Sequence, residues 1–307
     1  MPELPEVQTV VSDLNKKIKG DKIVDFWSDW PSAIKNATLA NFKRAVKNRE
    51  ILGARRIGKN IFIDLSGGKT LYIHLKMTGH LLIKSEILNS KFETSDSKSG
   101  KKSKSFKLKA KSYFDDRVNQ YVHHAWKLRD KKGNFKALEF SDLRKFGKII
   151  IIDTDKVGEL PEIKALGIDA LDKKFDLKKF NEILDKKSKT PIGLLLMDQS
   201  LISGIGNIYR SEILFASRVL PERETGSLKT AERKKIFDNI KKILEKAVKL
   251  RGTSDSDYRD TDGAPGGFQK ILKVYKREGE KCQKCGTIIS RGKMGQRSIF
   301  FCPKCQK

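Results

Sequence analysis

Cysteine is scarce and badly placed for a secreted scaffold. The 307 residues hold four, Cys282, Cys285, Cys302 and Cys305, crowded at one end of the chain. A disulfide-stapled extracellular domain would spread them through its loops. Long apolar runs are missing too, and none approaches the ~20 residues a bilayer-crossing helix needs. The first residues, MPELPEV, are acidic and proline-rich, which is unlike the basic and then apolar start of a secretory leader. The expected setting is therefore cytoplasmic, with no membrane partner. Acidic residues are in deficit: 38 Asp and Glu face 65 Lys and Arg, a formal net charge of +27. That excess exceeds what solubility requires and points to a polyanion, with nucleic acid the expected partner. A generally lysine-rich proteome is the other explanation, and charge alone does not separate the two. Histidine is equally sparse. His74, His80, His123 and His124 form no metal-binding or catalytic pattern and read as surface or packing residues.

The chain changes character along its length. Residues 1–155 are mostly strand-like: "NIFIDL", "LYIHLKM" and "KIIIIDT" are β-branched or alternating runs bounded by Gly, Lys and Ser. One early helix, "VQTVVSDLNKKI", has apolar residues at helical spacing. Between Leu88 and Arg117 both patterns fail. "SDSKSGKKSKSFKLKAK" is poor in apolar residues and dense in lysine, so a basic loop without chemistry of its own is expected there. From Pro161 the period becomes helical, in "LKKFNEILDKK", "PIGLLLMDQSLI", "IYRSEILFASRVL" and "AERKKIFDNIKKILEKAVKL". A Gly/Asp/Ser stretch, "RGTSDSDYRDTDGAPGGF", leads to the cysteines. The divisions expected are 1–155, 156–265 and 266–307, giving an α+β chain.

The cysteines read C-x2-C-x16-C-x2-C. Each pair can grip one ion from a tight turn, and two pairs complete a tetrahedron of soft sulfur ligands that suits zinc. A redox dithiol is the rival reading, but nothing around the cysteines looks like a thioredoxin unit. Four thiolates leave no open coordination position, so one structural Zn2+ is expected. The segment between the pairs carries Lys293, Gln296 and Arg297, and a rigid hairpin with basic residues at its tip suits contact with a duplex.

In "LMDQSLISGIGNIYRSEILF", Gly204, Ile205, Gly206 and Asn207 separate two helical runs. The glycines allow close backbone approach, and Asn207 falls at a helix start, where free N–H groups and the helix dipole favour an anion. An ordinary helix–helix turn capped by Asn fits the same residues.

MPELPEV at the start, GIGNIYRSEILF in a helix-two-turn-helix and a terminal four-cysteine finger occur together and in order. This combination resembles bacterial formamidopyrimidine-DNA glycosylase over nearly the whole chain. The resemblance implies an N-terminal β-sandwich with flanking helices, a helical helix-two-turn-helix region and a β-hairpin zinc finger. It also implies a monomer holding damaged double-stranded DNA between its halves, in a bacterial cytoplasm at the nucleoid. The implied activity is a bifunctional glycosylase and abasic-site lyase of base excision repair. Oxidised purines (8-oxoguanine, formamidopyrimidines) are excised through a Schiff base, followed by β,δ-elimination.

The same resemblance assigns residues. Met1 is expected to be removed because Pro2 is small. Pro2 then offers a secondary amine whose ordinary pKa, about 7.7–8.0, leaves a useful neutral fraction near neutral pH, where a lysine would need a large shift. The implied steps are attack of this amine on C1′, an iminium ion that acidifies C2′, and strand scission. Glu3 would shuttle protons, Glu6 would position the terminus, and Lys59, in "RRIGKNIFI", would enter from a hairpin to contact phosphate or lesion. Glu6 also fits as a helix-start acid offsetting the dipole, and Lys59 as a plain turn lysine. Met77 would fill the gap left by the extruded base, Arg144 would pair with the orphaned base and Phe146 would wedge into the stack. Core strand positions are the alternative for Met77 and Phe146, though Gly79 and Gly147 beside them suggest exposed tips. The family usually has glycine before that Met, where this chain has Lys76. "TDGAPGGF" resembles the loop that covers the extruded purine. It favours this branch over an endonuclease VIII-like glycosylase of oxidised pyrimidines, and a non-catalytic damage binder is the third reading.

Overall fold

The computed structural model describes residues 1–85 and 112–307. The expected basic loop at 95–111 lies outside them. Helix α1 (Leu4–Lys17) opens the chain, with Glu3 at its N-cap, Pro5 in the first turn and Glu6 at its third position. Two four-stranded antiparallel sheets follow. One runs β2 (Ile51–Ile57), β3 (Asn60–Leu65), β4 (Lys69–His74), β8 (Lys148–Asp153), and the other β1 (Lys22–Ser28), β6 (Val122–Arg129), β7 (Phe135–Ser141), β5 (His80–Lys84). Their apolar faces meet around Phe26, Ile61, Leu71, Trp126 and Phe140, so this half is a β-sandwich. Helix α2 (Leu39–Val46), capped by the Thr38 hydroxyl, covers part of it.

The second half is helical: α3 (Pro161–Lys164), α4 (Leu177–Lys186), α5 (Ile192–Leu195), α6 (Asn207–Ser217) and the 20-residue α7 (Thr230–Lys249). A two-residue parallel pair, β9 (Ile168–Asp169) with β10 (Ile202–Ser203), ties its turns. The finger hairpin is β11 (Ser290–Met294) with β12 (Arg297–Phe301). Its Ile289, Phe300 and Cys302 share one core with the helices. The architecture is α+β, with a sandwich, a helix-two-turn-helix region and a terminal finger.

Helix α1 belongs to both halves. Leu4 packs into the helical core, while Val7, Val10, Val11 and Leu14 pack into the sandwich. Two expected elements are shorter than the sequence suggests. "LYIHLKM" leaves its sheet at His74, and Lys76, Met77 and Thr78 form a turn. "PIGLLLMDQSLI" is helical only over Ile192–Leu195. Asp198 ends it, because its carboxylate accepts the N–H and the hydroxyl of Ser200 while its carbonyl accepts Leu201 and Ile202.

Candidate active site

The first turn of α1 is pinned against the start of α6. The Glu3 carboxylate, 2% exposed, accepts the backbone N–H groups of Gly206 (2.8 Å), Ile208 (2.9 Å) and Tyr209 (3.4 Å). A helix start leaves such donors open and carries partial positive charge. At the Gly206, Ile208 and Tyr209 N–H groups the anion is therefore supplied by the chain itself, while Asn207 still borders an open cleft. The close approach explains one glycine. A Cβ on Gly206 would lie 2.4 Å from Cδ of Glu3. The Leu4 N–H donates to the Gly204 carbonyl at 3.0 Å, at a left-handed φ of +106°.

Glu6 closes the same knot. One carboxylate oxygen accepts the Glu3 N–H at 2.7 Å, and the other accepts the Thr253 N–H at 2.6 Å and the Tyr209 hydroxyl at 2.5 Å. Glu6 is thus a helix-start acid whose carboxylate also holds the backbone N–H of the residue after Pro2. Burial, reinforced by the neighbouring Glu3, pushes its pKa up to about 7, against the opposing pull of its hydrogen bonds. Lys59 lies in the β2–β3 turn. It is buried, and its ammonium donates to the Ile205 carbonyl at 2.9 Å. Burial lowers its pKa, the charges of Glu3 and Glu6 oppose that, and Arg297 adds to it. Its hairpin is held from the helical half. Asp169 accepts the Gly58 N–H at 2.8 Å and pairs with Arg56. Pro2 is buried beside this cluster while Met1 is exposed.

The structure places Met77, Arg144 and Phe146 apart from this knot, on two adjoining turns. Phe146 is 52% exposed and the Arg144 guanidinium lies 4.8 Å from its ring centre, so Phe146 is no core residue. Gly79 and Gly147, beside these turns, are themselves buried. A Cβ on either would strike the Phe140 ring, at 2.7 Å and 2.4 Å. Lys76 sits at φ +54°, the left-handed region that favours the glycine usual there. The start of "TDGAPGGF" packs at the far end of α1, where Thr261 and Asp262 accept from Lys17 at 2.7 and 2.6 Å, while its Phe268 N–H donates to the Gly252 carbonyl at 3.0 Å and its ring centre lies 5.4 Å from that of Tyr209. The residues against Glu6 are Gly252 and Thr253 instead.

On the other flank, Asn207 and the exposed Arg297 border a cleft of about 650 Å³ with Tyr275, Lys276 and Arg291. Beneath it lies Arg210, 1% exposed, whose guanidinium donates to the Asn207 side chain and to the Ser298 carbonyl at 2.9 Å. Sequence reasoning missed it, because a cation on an apolar helix carries no periodic signal. Glu212 on the same helix accepts the N–H groups of Lys273, Val274 and Tyr275, fixing the approach to the finger. There the four cysteine sulfurs all lie within 4.8 Å of one another, with Cys282–Cys305 at 3.9 Å and Cys285–Cys302 at 3.5 Å. Zinc at about 2.3 Å from each sulfur requires sulfurs about 3.8 Å apart, so the residues fit one structural ion held by all four.

Residues 1–149 match the family model "Formamidopyrimidine-DNA glycosylase N-terminal domain", residues 166–258 its H2TH domain, and residues 279–307 "Zinc finger found in FPG and IleRS". The chain belongs to the formamidopyrimidine-DNA glycosylase family. It is 34% identical to the formamidopyrimidine-DNA glycosylase of Pelotomaculum thermopropionicum, over 100% of this chain and 99% of that one. Lactococcus lactis Fpg, solved in complex with an abasic site containing DNA, superposes with a TM-score of 0.80 at 32% identity, covering 99% of both chains. A variant of the same Lactococcus protein, in complex with Fapy-dG containing DNA, gives 0.80 and 32% over the whole of both chains. As a member of the formamidopyrimidine-DNA glycosylase family, the chain is a glycosylase and abasic-site lyase of base excision repair. Its partner is damaged DNA and it carries one structural zinc. No helix among the described residues is long and apolar enough to cross a membrane.

Proposed function

We propose that Pro2, freed of Met1, is the nucleophile, and that oxidised purines are the preferred lesions. The observation that carries this reading is the knot at the α1–α6 junction. It holds the segment after Pro2 rigidly, with Glu3, Glu6 and Lys59 gathered around it. With Met1 in place the Pro2 nitrogen is an amide and has no lone pair to offer. Once released, the amine adds to C1′ and the base departs with its bonding electrons. The amine gives up its proton, the C1′–O4′ bond opens as O4′ takes one up, and the resulting iminium draws electrons from C2′, whose proton is lost as the 3′ phosphate leaves; a second elimination expels the 5′ phosphate. Glu3 exchanges protons with the sugar. Glu6 orients the terminus through the Glu3 N–H, and Lys59 contacts phosphate or lesion. Met77, Arg144 and Phe146 fill and read the void, which offsets part of the few kcal/mol that extrusion costs. Asn207 and Arg297 hold backbone phosphate. We divide the chain at 1–155, 156–265 and 266–307 and place it in the cytoplasm.

Borohydride reduction during reaction with an 8-oxoguanine duplex tests the nucleophile. The expected product is one covalent adduct, mapped by mass spectrometry to Pro2 of a chain lacking Met1. An adduct at another residue, or none, overturns the assignment. Faster excision of thymine glycol than of 8-oxoguanine would overturn the lesion preference.

A further inference from the structure

Asp142 sits just beyond β7 with no accessible surface, yet it belongs to no ion pair among the described residues. Its carboxylate is spent on two turns. One oxygen accepts the Thr78 hydroxyl, from the turn of Met77, and also the Arg144 N–H at 3.3 Å. The other accepts the N–H groups of Phe146 at 2.9 Å and Gly147 at 2.7 Å. The Thr78 hydroxyl accepts the Arg144 N–H in turn, at 3.1 Å. Each turn also contains a lysine in the left-handed region, Lys76 at φ +54° and Lys145 at +53°. Such a backbone persists where its surroundings over-determine it. Both turns rest on the Phe140 ring through Gly79 and Gly147.

From this geometry we propose that Asp142 and Thr78 are positioning residues that make the two turns one rigid unit, so that Met77, Arg144 and Phe146 enter the base stack together. The inference rests on the reading of those three side chains as void-filling groups. A buried carboxylate satisfied by four donors is a stiff connector, because moving either turn alone strands a charged acceptor away from water. Void filling by a linked pair is cooperative: losing one member spoils the placement of the other.

A double-mutant cycle tests it. Single-turnover excision from an 8-oxoguanine duplex is measured for the parent chain, Met77→Ala, Phe146→Ala and the pair. The four are then repeated with Thr78→Val, which removes the bridging hydroxyl, and with Thr78→Ser, which restores it. Melting temperatures confirm folding, and Asp142→Asn gives an independent break in the connection. In the parent and the Thr78→Ser series, the paired loss should fall short of the product of the single losses by about 10-fold. In the Thr78→Val and Asp142→Asn series, the losses should multiply to within about 2-fold. Coupling that survives Thr78→Val assigns the connection to packing on Phe140 and overturns the inference, as does multiplicative loss in the parent. Single variants that excise at the parent rate overturn the void-filling reading itself.

Discussion

The knot at the α1–α6 junction and the paired turns of Met77 and Phe146 solve opposite problems. In the knot, Glu3, Glu6 and Lys59 are buried and each makes at least one hydrogen bond within 2.9 Å. In the turns, Arg144 and Phe146 stand in solvent, and only their backbone is anchored. On the proposed mechanism, chemistry at a sugar carbon needs charges that do not reorganise during reaction, and desolvated, hydrogen-bonded groups supply that. Entering a base stack needs apolar surface held ready and uncovered. The price of that readiness is left-handed backbone at Lys76 and Lys145. Rigidity is invested in side chains at one place and in main chain at the other.

The contrast can be broken most severely at Gly206. A methyl group there displaces the Glu3 carboxylate, so Gly206→Ala should lower the single-turnover rate by about 100-fold or more while the melting temperature shows a folded chain. A parent-like rate would separate Glu3 from the chemistry. Next comes Glu6, whose pKa is raised from 4.5 to about 7. A raised acid favours the folded state fully below pH 4.5, and that contribution is lost as pH climbs through 7. Denaturant titrations should therefore show stability falling by on the order of 3 kcal/mol across this window. Glu6→Gln should flatten that slope, and an unchanged slope would assign it to other groups. At the DNA flank, Arg297→Ala should weaken duplex binding and lower the slope of log affinity against log salt by about 1. An unaltered slope argues against phosphate contact. Smallest is Lys76→Gly, which should stabilise the chain by about 1 kcal/mol by relieving the left-handed lysine, measured by chemical denaturation. A loss instead would show that the greater unfolded-chain entropy of glycine outweighs the left-handed strain.

Regular elements were legible wherever a period ran uninterrupted. "NIFIDL" is β3 residue for residue, and the long apolar period beginning at Ala231 lies within one residue of α7. The run after Pro191 misled because Leu196 and Ile202, beyond the end of α5, are buried by turns, and burial without a period looks the same as a short helix. The site was readable through short motifs, but its wiring was not. Glu3 and Gly206 are 203 positions apart, a separation that leaves no local trace. Asp142, Thr78 and Arg210 escaped for the same reason. Each is polar, each is buried by tertiary contacts, and composition gives no hint of burial for such residues.

Because the first turn of α1 locks into one core and its remaining turns into the other, neither half can assemble this centre without its counterpart. A nascent polypeptide displays Pro2 and Glu3 from the outset, yet gains the amides that orient them only once Ile208 has been made and folded. On the proposed mechanism, strand-cutting competence therefore arrives only after synthesis has passed α6.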